Sequence, residues 1–213
     1  MSGARTSRHE WAPTTHAWAS EVDAAHLRQI RSAPQQYAPD PLHLVLELLA
    51  YPVDEAPYIE RQHIVVTLGA DGSVSIADTG RGTDTRFDDE GLAVRKPIIA
   101  TKDLRFFDHP DAETLADGHP RRGVSVVAAL SEWLVHENRR AAGAWTQRYE
   151  QGVPVTGLEP INSDAPTGTT ITFRPDPRLV PGRLDIGEVR RRCEQQAGAV
   201  AVTVTTRKET EPS

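Results

Sequence analysis

This sequence predicts an α+β protein built in two layers, a sheet and a set of helices packed on it. Three observations carry that reading. Residues 63–68 and the alternating run 74–78 flank Ala70-Asp71-Gly72-Ser73, and its Asp-Gly pair closes a tight antiparallel hairpin. Residues 42–50 are almost wholly apolar, so a helix there is buried on most of its sides. Helices fall irregularly between hairpins, not in repeating strand-helix-strand units.

The elements follow in chain order. Residues 1–20 mix Ser, Thr, Pro, His and Trp without a period. They are expected to form a tail ahead of one domain spanning 21–207, with a second short tail at 208–213. Leu27 and Ile30, three apart, suit a short helix over 22–31 that Pro34 ends. Asp40-Pro41 opens the apolar helix, a capping side chain followed by proline at the first helical position. His43 and Glu47 are its polar exceptions, four apart and so on one face. Pro52 is expected to disturb this helix, because its ring clashes with the turn behind it.

After the hairpin, Gly80-Arg81-Gly82 reads as a loop. Residues 83–122 are polar and weakly periodic, and a stretch of that length marks a functional lid or hides a helix. Residues 123–134 read as a second buried helix with a glycine in front. Strand-like segments follow at 133–139, 144–150 and 169–174, and helix and strand overlap near Trp133. Residues 185–197 form an amphipathic helix carrying Arg190, Arg191 and Arg192, and 199–206 alternates as a last strand. There is no internal repeat.

The 213 residues suffice for one sizeable domain or two small ones. A net charge of −6 argues against a surface built throughout to grip nucleic acid, since phosphate binding shows as a basic excess. The single cysteine, Cys193, allows no internal disulfide and fits a reducing compartment. The start of the chain is polar and no apolar run approaches the ~18 residues that span a bilayer. A cytoplasmic protein without a signal peptide and without membrane contact is therefore expected.

Five segments in one order resemble the N-terminal ATP-binding domain of the DNA gyrase B subunit. Residues 43–56, ending Val-Asp-Glu-Ala, look like the helix that carries that family's catalytic glutamate. Residues 74–82 (Val-Ser-Ile-Ala-Asp-Thr-Gly-Arg-Gly) look like its adenine-binding strand and glycine turn. Residues 123–131 resemble the helix after the lid, and Tyr149-Glu150-Gln151-Gly152-Val153-Pro154 and Thr167-Gly168-Thr169 resemble two later segments. The similarity runs from about residue 24 to about 207. It implies the GHKL ATPase fold, a two-layer sandwich of a mixed, mainly antiparallel sheet with helices on one face and ATP between helices and a lid. Gyrase B continues into a transducer and a metal-holding, DNA-working region. This chain ends at Ser213 and is expected to lack both, so strand passage or DNA contact by it alone is not expected.

The resemblance also implies roles for particular residues. Asp78 matches the carboxylate that accepts the adenine amino group, a charged acceptor at the bottom of an apolar pocket. By itself an Asp at a hairpin end reads as a turn cap; Gly80, Arg81 and Gly82 behind it favour the nucleotide. Thr169 matches a threonine of the same pocket. Glu47 matches the general base that activates water against the γ-phosphate, and His43 the histidine that orients it; without the family, the two read as a buried stabilising pair. Glu55, Gly118, Gly123, Val124 and Arg140 fall at further nucleotide-binding positions.

The departures from the family concentrate at the phosphate end. Tyr51 stands where the family has the Asn that holds Mg²⁺, and a bulky phenol is a poor ligand for that ion. The lid stretch Asp117-Gly118-His119-Pro120-Arg121-Arg122-Gly123 keeps two glycines and contains a proline without an N–H. Arg121 and Arg122 either hold phosphates by charge or lie solvated on the surface. His109, Asp111, Glu113 and His119 match no metal-ligand spacing. The resemblance thus implies adenine-nucleotide binding with Mg²⁺ in doubt. Three readings remain open: a non-hydrolysing module acting by interaction, with a gyrase or topoisomerase subunit as a candidate partner; an active ATPase; and a ligand-free fold remnant.

Overall fold

The computed structural model describes residues 22–83, 86–87, 93–94 and 101–207; the tails at 1–20 and 208–213 and most of 84–100 lie outside the described residues. Helix α1 (Ala24–Ser32) is capped by Asp23, whose side chain accepts from the His26 N–H at 2.9 Å. A single turn, α2 (Pro34–Tyr37), follows. Helix α3 (Pro41–Glu55) starts where Asp40 accepts from the His43 N–H at 3.1 Å. It then runs through Pro52, where the sequence predicts a disturbance. Proline costs about 3 kcal/mol inside a helix. Here the buried run Leu44–Leu49 ahead of it ties the helix to the core, and each apolar side chain in it contributes roughly 1.5–3 kcal/mol.

Strands β1 (His63–Gly69) and β2 (Val74–Asp78) form the expected hairpin. Gly72 has φ +82°, the left-handed conformation that the Asp-Gly turn requires. A separate two-stranded piece pairs β3 (Arg86–Phe87) with β4 (Ala93–Val94). Helix α4 (Val124–Ala129) is shorter than the sequence suggests, and Ser131 to Leu134 belong to strand β5 (Ser131–Arg140). The Ser131 hydroxyl donates to the Val127 carbonyl at 2.6 Å, taking a carbonyl at the end of the helix. Then come β6 (Gly143–Glu150), the short β7 (Val153–Pro154) and β8 (Glu159–Pro160), β9 (Gly168–Pro175), α5 (Ile186–Ala197) and β10 (Ala201–Arg207). Within 101–122 no helix forms; the chain there is held by turns and a bridge between Thr114 and Pro120.

The sheet order is β10-β1-β2-β9-β5-β6-β7, with β8 also on β6. Among the described residues β1 and β10 are the one parallel pair, and the other neighbours run antiparallel. The register aligns Leu68, Val74, Phe173, Leu134 and Tyr149 in one row across five strands, all buried. Residues paired across strands share a face, so this row is the spine of the core, joined to buried residues of α3, α4 and α5 in one cluster. The expected mixed, mainly antiparallel sheet with a helical layer is what forms.

Candidate functional site

Beyond that spine the sheet face opens. The next row is Ile76, Ile171 and His136, and the one after brings Thr169 beside Asn138 with Asp78 at its end. Over them α3 presents Leu48, Tyr51, Pro52 and Glu55, one helical face, and α4 presents Val124. The space between encloses about 410 Å³. Its walls are thus apolar over the first row and acidic at the second.

Asp78 Oδ1 accepts from the Gly80 N–H at 2.7 Å and Oδ2 from the Thr169 N–H at 3.2 Å. Burial raises its carboxyl above the usual range; the two amides oppose that, and the nearby Glu55 charge adds to it. A carboxylate has about four acceptor positions, so two amides leave capacity for a ligand donor. The turn behind it has no room for side chains. A Cβ on Gly80 would lie 2.7 Å from Asp78 Oδ1 and 2.9 Å from Glu55 Oε2. Gly82 has φ +74°, and a Cβ there would lie 2.6 Å from the Arg139 carbonyl. Asn138 pins the turn: its Oδ1 accepts from the Thr83 N–H and its Nδ2 donates to the Thr83 carbonyl, both at 2.7 Å. Arg140 Nη1 reaches the Gly82 carbonyl at 3.4 Å, and Arg81 pairs with Glu55 at 2.9 Å.

The other end is closed by the chain itself. His43 and Glu47 are fully buried and do not line the cavity. Glu47 Oε1 accepts from the Arg122 N–H at 2.5 Å and Oε2 from the Gly123 N–H at 2.8 Å. His43 Nδ1 meets Asp117 Oδ2 at 2.7 Å; its Nε2 lies 3.3 Å from Glu47 Oε1, within ion-pair range but off the hydrogen-bond line. Burial opposes charge on His43, yet the hydrogen bond to Asp117 and the nearby carboxylates of Glu47 and Asp117 outweigh it and raise the imidazole to about 9. Tyr51 donates its O–H to Asp103 Oδ2 at 3.0 Å and accepts from the Val124 N–H at 3.0 Å. Burial first, then the Asp103 charge, keeps the phenol protonated.

Arg121 lies neither on the surface nor at the cavity. It is fully buried, paired with Asp54 at 2.8 Å and Glu113 at 3.3 Å, and its guanidinium carbon lies 3.8 Å from the Phe106 ring centre and 4.7 Å from that of Tyr51.

The cavity therefore gathers Tyr51, Glu55, Asp78, Arg81, Gly82, Val124, Arg140 and Thr169 of the residues named from sequence, with Gly80 behind them. It does not gather Glu47, His43, Gly118 or Gly123; Gly118 sits in a turn with its N–H on the Leu115 carbonyl. Sequence reasoning misses Leu48, Pro52, Ile76, Thr83, His136 and Ile171. Helical spacing from Tyr51 and strand alternation from Asp78 signal Leu48, Glu55 and Ile76. His136 carries no such signal. Its ring opens on the cavity, meets no hydrogen-bond partner among the described residues, and is lowered to about 4 by burial alone.

Compared with known proteins, the chain matches no family model. It is 38% identical over 138 residues to the DNA gyrase B subunit of Thermotoga maritima, covering 64% of this chain and 22% of that one. It is 36% identical over 138 residues to the DNA topoisomerase 4 B subunit of Bacillus subtilis, covering 64% of this chain and 21% of the relative. A solved structure, the topoisomerase IV ATP-binding domain of Francisella tularensis in complex with a small-molecule inhibitor, superposes with a TM-score of 0.68 at 25% identity, over 84% of this chain and 50% of the other. The chain is a gyrase-B-like domain. Its fold is the GHKL fold of that ATP-binding domain. This gyrase-B-like chain spans about a fifth of the length of the curated relatives it matches.

Among the described residues no group of three or more His, Cys, Asp or Glu is placed to hold a metal, and no helix is long and apolar enough to cross a membrane. Arg191 and Arg192 are paired with Glu188, and Arg190 reaches the Val204 carbonyl, so α5 offers no unengaged basic stripe. Cys193 is buried, and burial pushes its thiol up to about 12.

Proposed function

We propose that this gyrase-B-like chain binds an adenine nucleotide with Asp78 as the acceptor for the purine amino group, and hydrolyses it slowly or not at all. The observation that carries the reading is the Asp78 carboxylate, buried enough to be desolvated, at the edge of an apolar-walled cavity and fixed by two backbone amides. A charged acceptor in such surroundings discriminates strongly for a ligand N–H.

Hydrolysis needs a base open to a water in line with the phosphate. Glu47 is fully buried with both oxygens on backbone N–H groups. Tyr51, at the position of the family's metal-holding Asn, keeps its proton and engages its oxygen with Asp103 and Val124. Those donors do not suit an ion that demands octahedral oxygen ligands, and no step is assigned to Mg²⁺. The chain then acts by contact, with a gyrase or topoisomerase subunit as the candidate partner. DNA is not assigned as a ligand.

The retained His43–Glu47 pair favours one alternative, an active ATPase in which the lid releases Glu47. Isothermal titration with ATP, run with and without Mg²⁺ and beside a phosphate-release assay, tests both. Binding without turnover is expected. Turnover that Glu47→Ala abolishes establishes the alternative, and no binding at millimolar ATP leaves a fold remnant.

A further inference from the structure

We infer that the cavity recognises the nucleoside half of its ligand and that, among the described residues, the phosphates find no seat, so that a purine nucleoside or mononucleotide binds as well as a triphosphate. This rests on the purine reading of Asp78 above. Polyphosphates are held by consecutive backbone N–H groups and by cations. The three consecutive N–H groups at the start of α4 already have acceptors. Arg122 and Gly123 donate to the two oxygens of Glu47, at 2.5 and 2.8 Å, and Val124 donates to the Tyr51 phenol at 3.0 Å. Both acceptors belong to α3: Glu47 is fully buried, and Tyr51 is half-buried in the cavity wall and packed against the core.

Releasing them is costly. Glu47 is fully buried, and pulling it off its amides leaves an uncompensated buried carboxylate. Arg121, next to these amides in the chain, does not line the cavity; it is buried against two aromatic rings and paired with Asp54 and Glu113. The two arginines of the cavity wall are engaged within the protein: Arg81 pairs with Glu55 at 2.9 Å and Arg140 reaches the Gly82 carbonyl at 3.4 Å.

What the cavity does offer is chemistry for a neutral heterocycle. Leu48, Ile76, Ile171 and Val124 supply apolar contact, and Asp78 supplies an acceptor. His136 presents a neutral imidazole, one donor and one acceptor, at the far end of the row from Ile76.

The test is isothermal titration of the full chain with adenosine, AMP, ADP and ATP, each with and without Mg²⁺. Dissociation constants within about threefold of one another, unmoved by Mg²⁺, are the expected result. ATP binding tenfold or more tighter than adenosine overturns the inference while leaving the purine reading standing. Binding by none of the four, or binding that Asp78→Asn leaves unchanged in a folded protein, overturns the purine reading itself.

Discussion

Replacing Asp78 by Asn removes one charge and converts one oxygen to a donor, and the structure says where each consequence falls. Oδ1 remains able to accept from Gly80 at 2.7 Å, so the new amide nitrogen takes the Oδ2 position, where it faces the Thr169 N–H now at 3.2 Å. Donor then meets donor, and the lost contact costs about 1–3 kcal/mol of folding stability. Part is returned, because a carboxyl already raised by burial and by Glu55 no longer has to be charged. A net change of about 1 kcal/mol is expected in urea unfolding. Binding loses more. A ligand amino group that met a charged acceptor now meets an NH₂, and hydrogen bonds to charged groups are worth about 1.5–3 kcal/mol. That corresponds to a fall of roughly 10- to 150-fold in adenosine affinity, read by isothermal titration on protein whose circular dichroism matches wild type. A change below threefold refutes the assignment of Asp78.

Three further outcomes follow from the same geometry. Glu47→Ala frees the Arg122 and Gly123 amides and leaves the His43 cation with Asp117 alone; it is expected to lower unfolding stability by about 3–5 kcal/mol and to raise the ratio of ATP to adenosine affinity severalfold, checked by denaturation and titration. Gly80→Ala places a methyl 2.7 Å from Asp78 Oδ1 and is expected to weaken adenosine binding at least ~10-fold, with about 1–3 kcal/mol of overpacking lost in urea unfolding. Stability against pH should peak near neutrality. His43 is raised from 6.5 to about 9, so its stabilisation, roughly 3 kcal/mol at ~1.4 kcal/mol per pH unit, is whole below pH 6.5 and lost as pH rises through 9. His26 and His136 are lowered to about 4, mainly by burial, so the unfolded chain binds more protons between pH 6.5 and 4 and stability falls there as the pH drops. Urea midpoints from pH 4 to 10 check the shape; a flat profile from 6.5 to 9 removes the charged His43.

Much of the fold is legible because it is coded by short-range chemistry. The Asp71-Gly72 turn, the Asp40 cap ahead of Pro41, and the Asp185 cap of α5 each work within three or four residues. The errors lie where a local signal meets a distant one. Proline at position 52 reads as a disturbance, but the buried face of α3 carries the helix through to Glu55. Residues 123–134 are apolar enough for one helix, yet pairing with β6 and β9 claims them from Ser131 on.

The candidate site divides along the same line. Sequence alone determined the hairpin that ends in Asp78, the glycines behind it, and the spacing that stacks Leu48, Tyr51 and Glu55 on one helical face, because each is a matter of strand alternation, turn chemistry or helical period. Only the tertiary structure decided that His136 enters the cavity, since its place depends on the register of β5 against β9 and on the irregularity between Ser131 and Trp133. Tertiary structure likewise decided that Glu47 is engaged by amides 75 and 76 residues further along the chain and that Arg121 is buried beside Tyr51. Contacts so distant in sequence arise when the core brings separate segments together, and no local pattern encodes them.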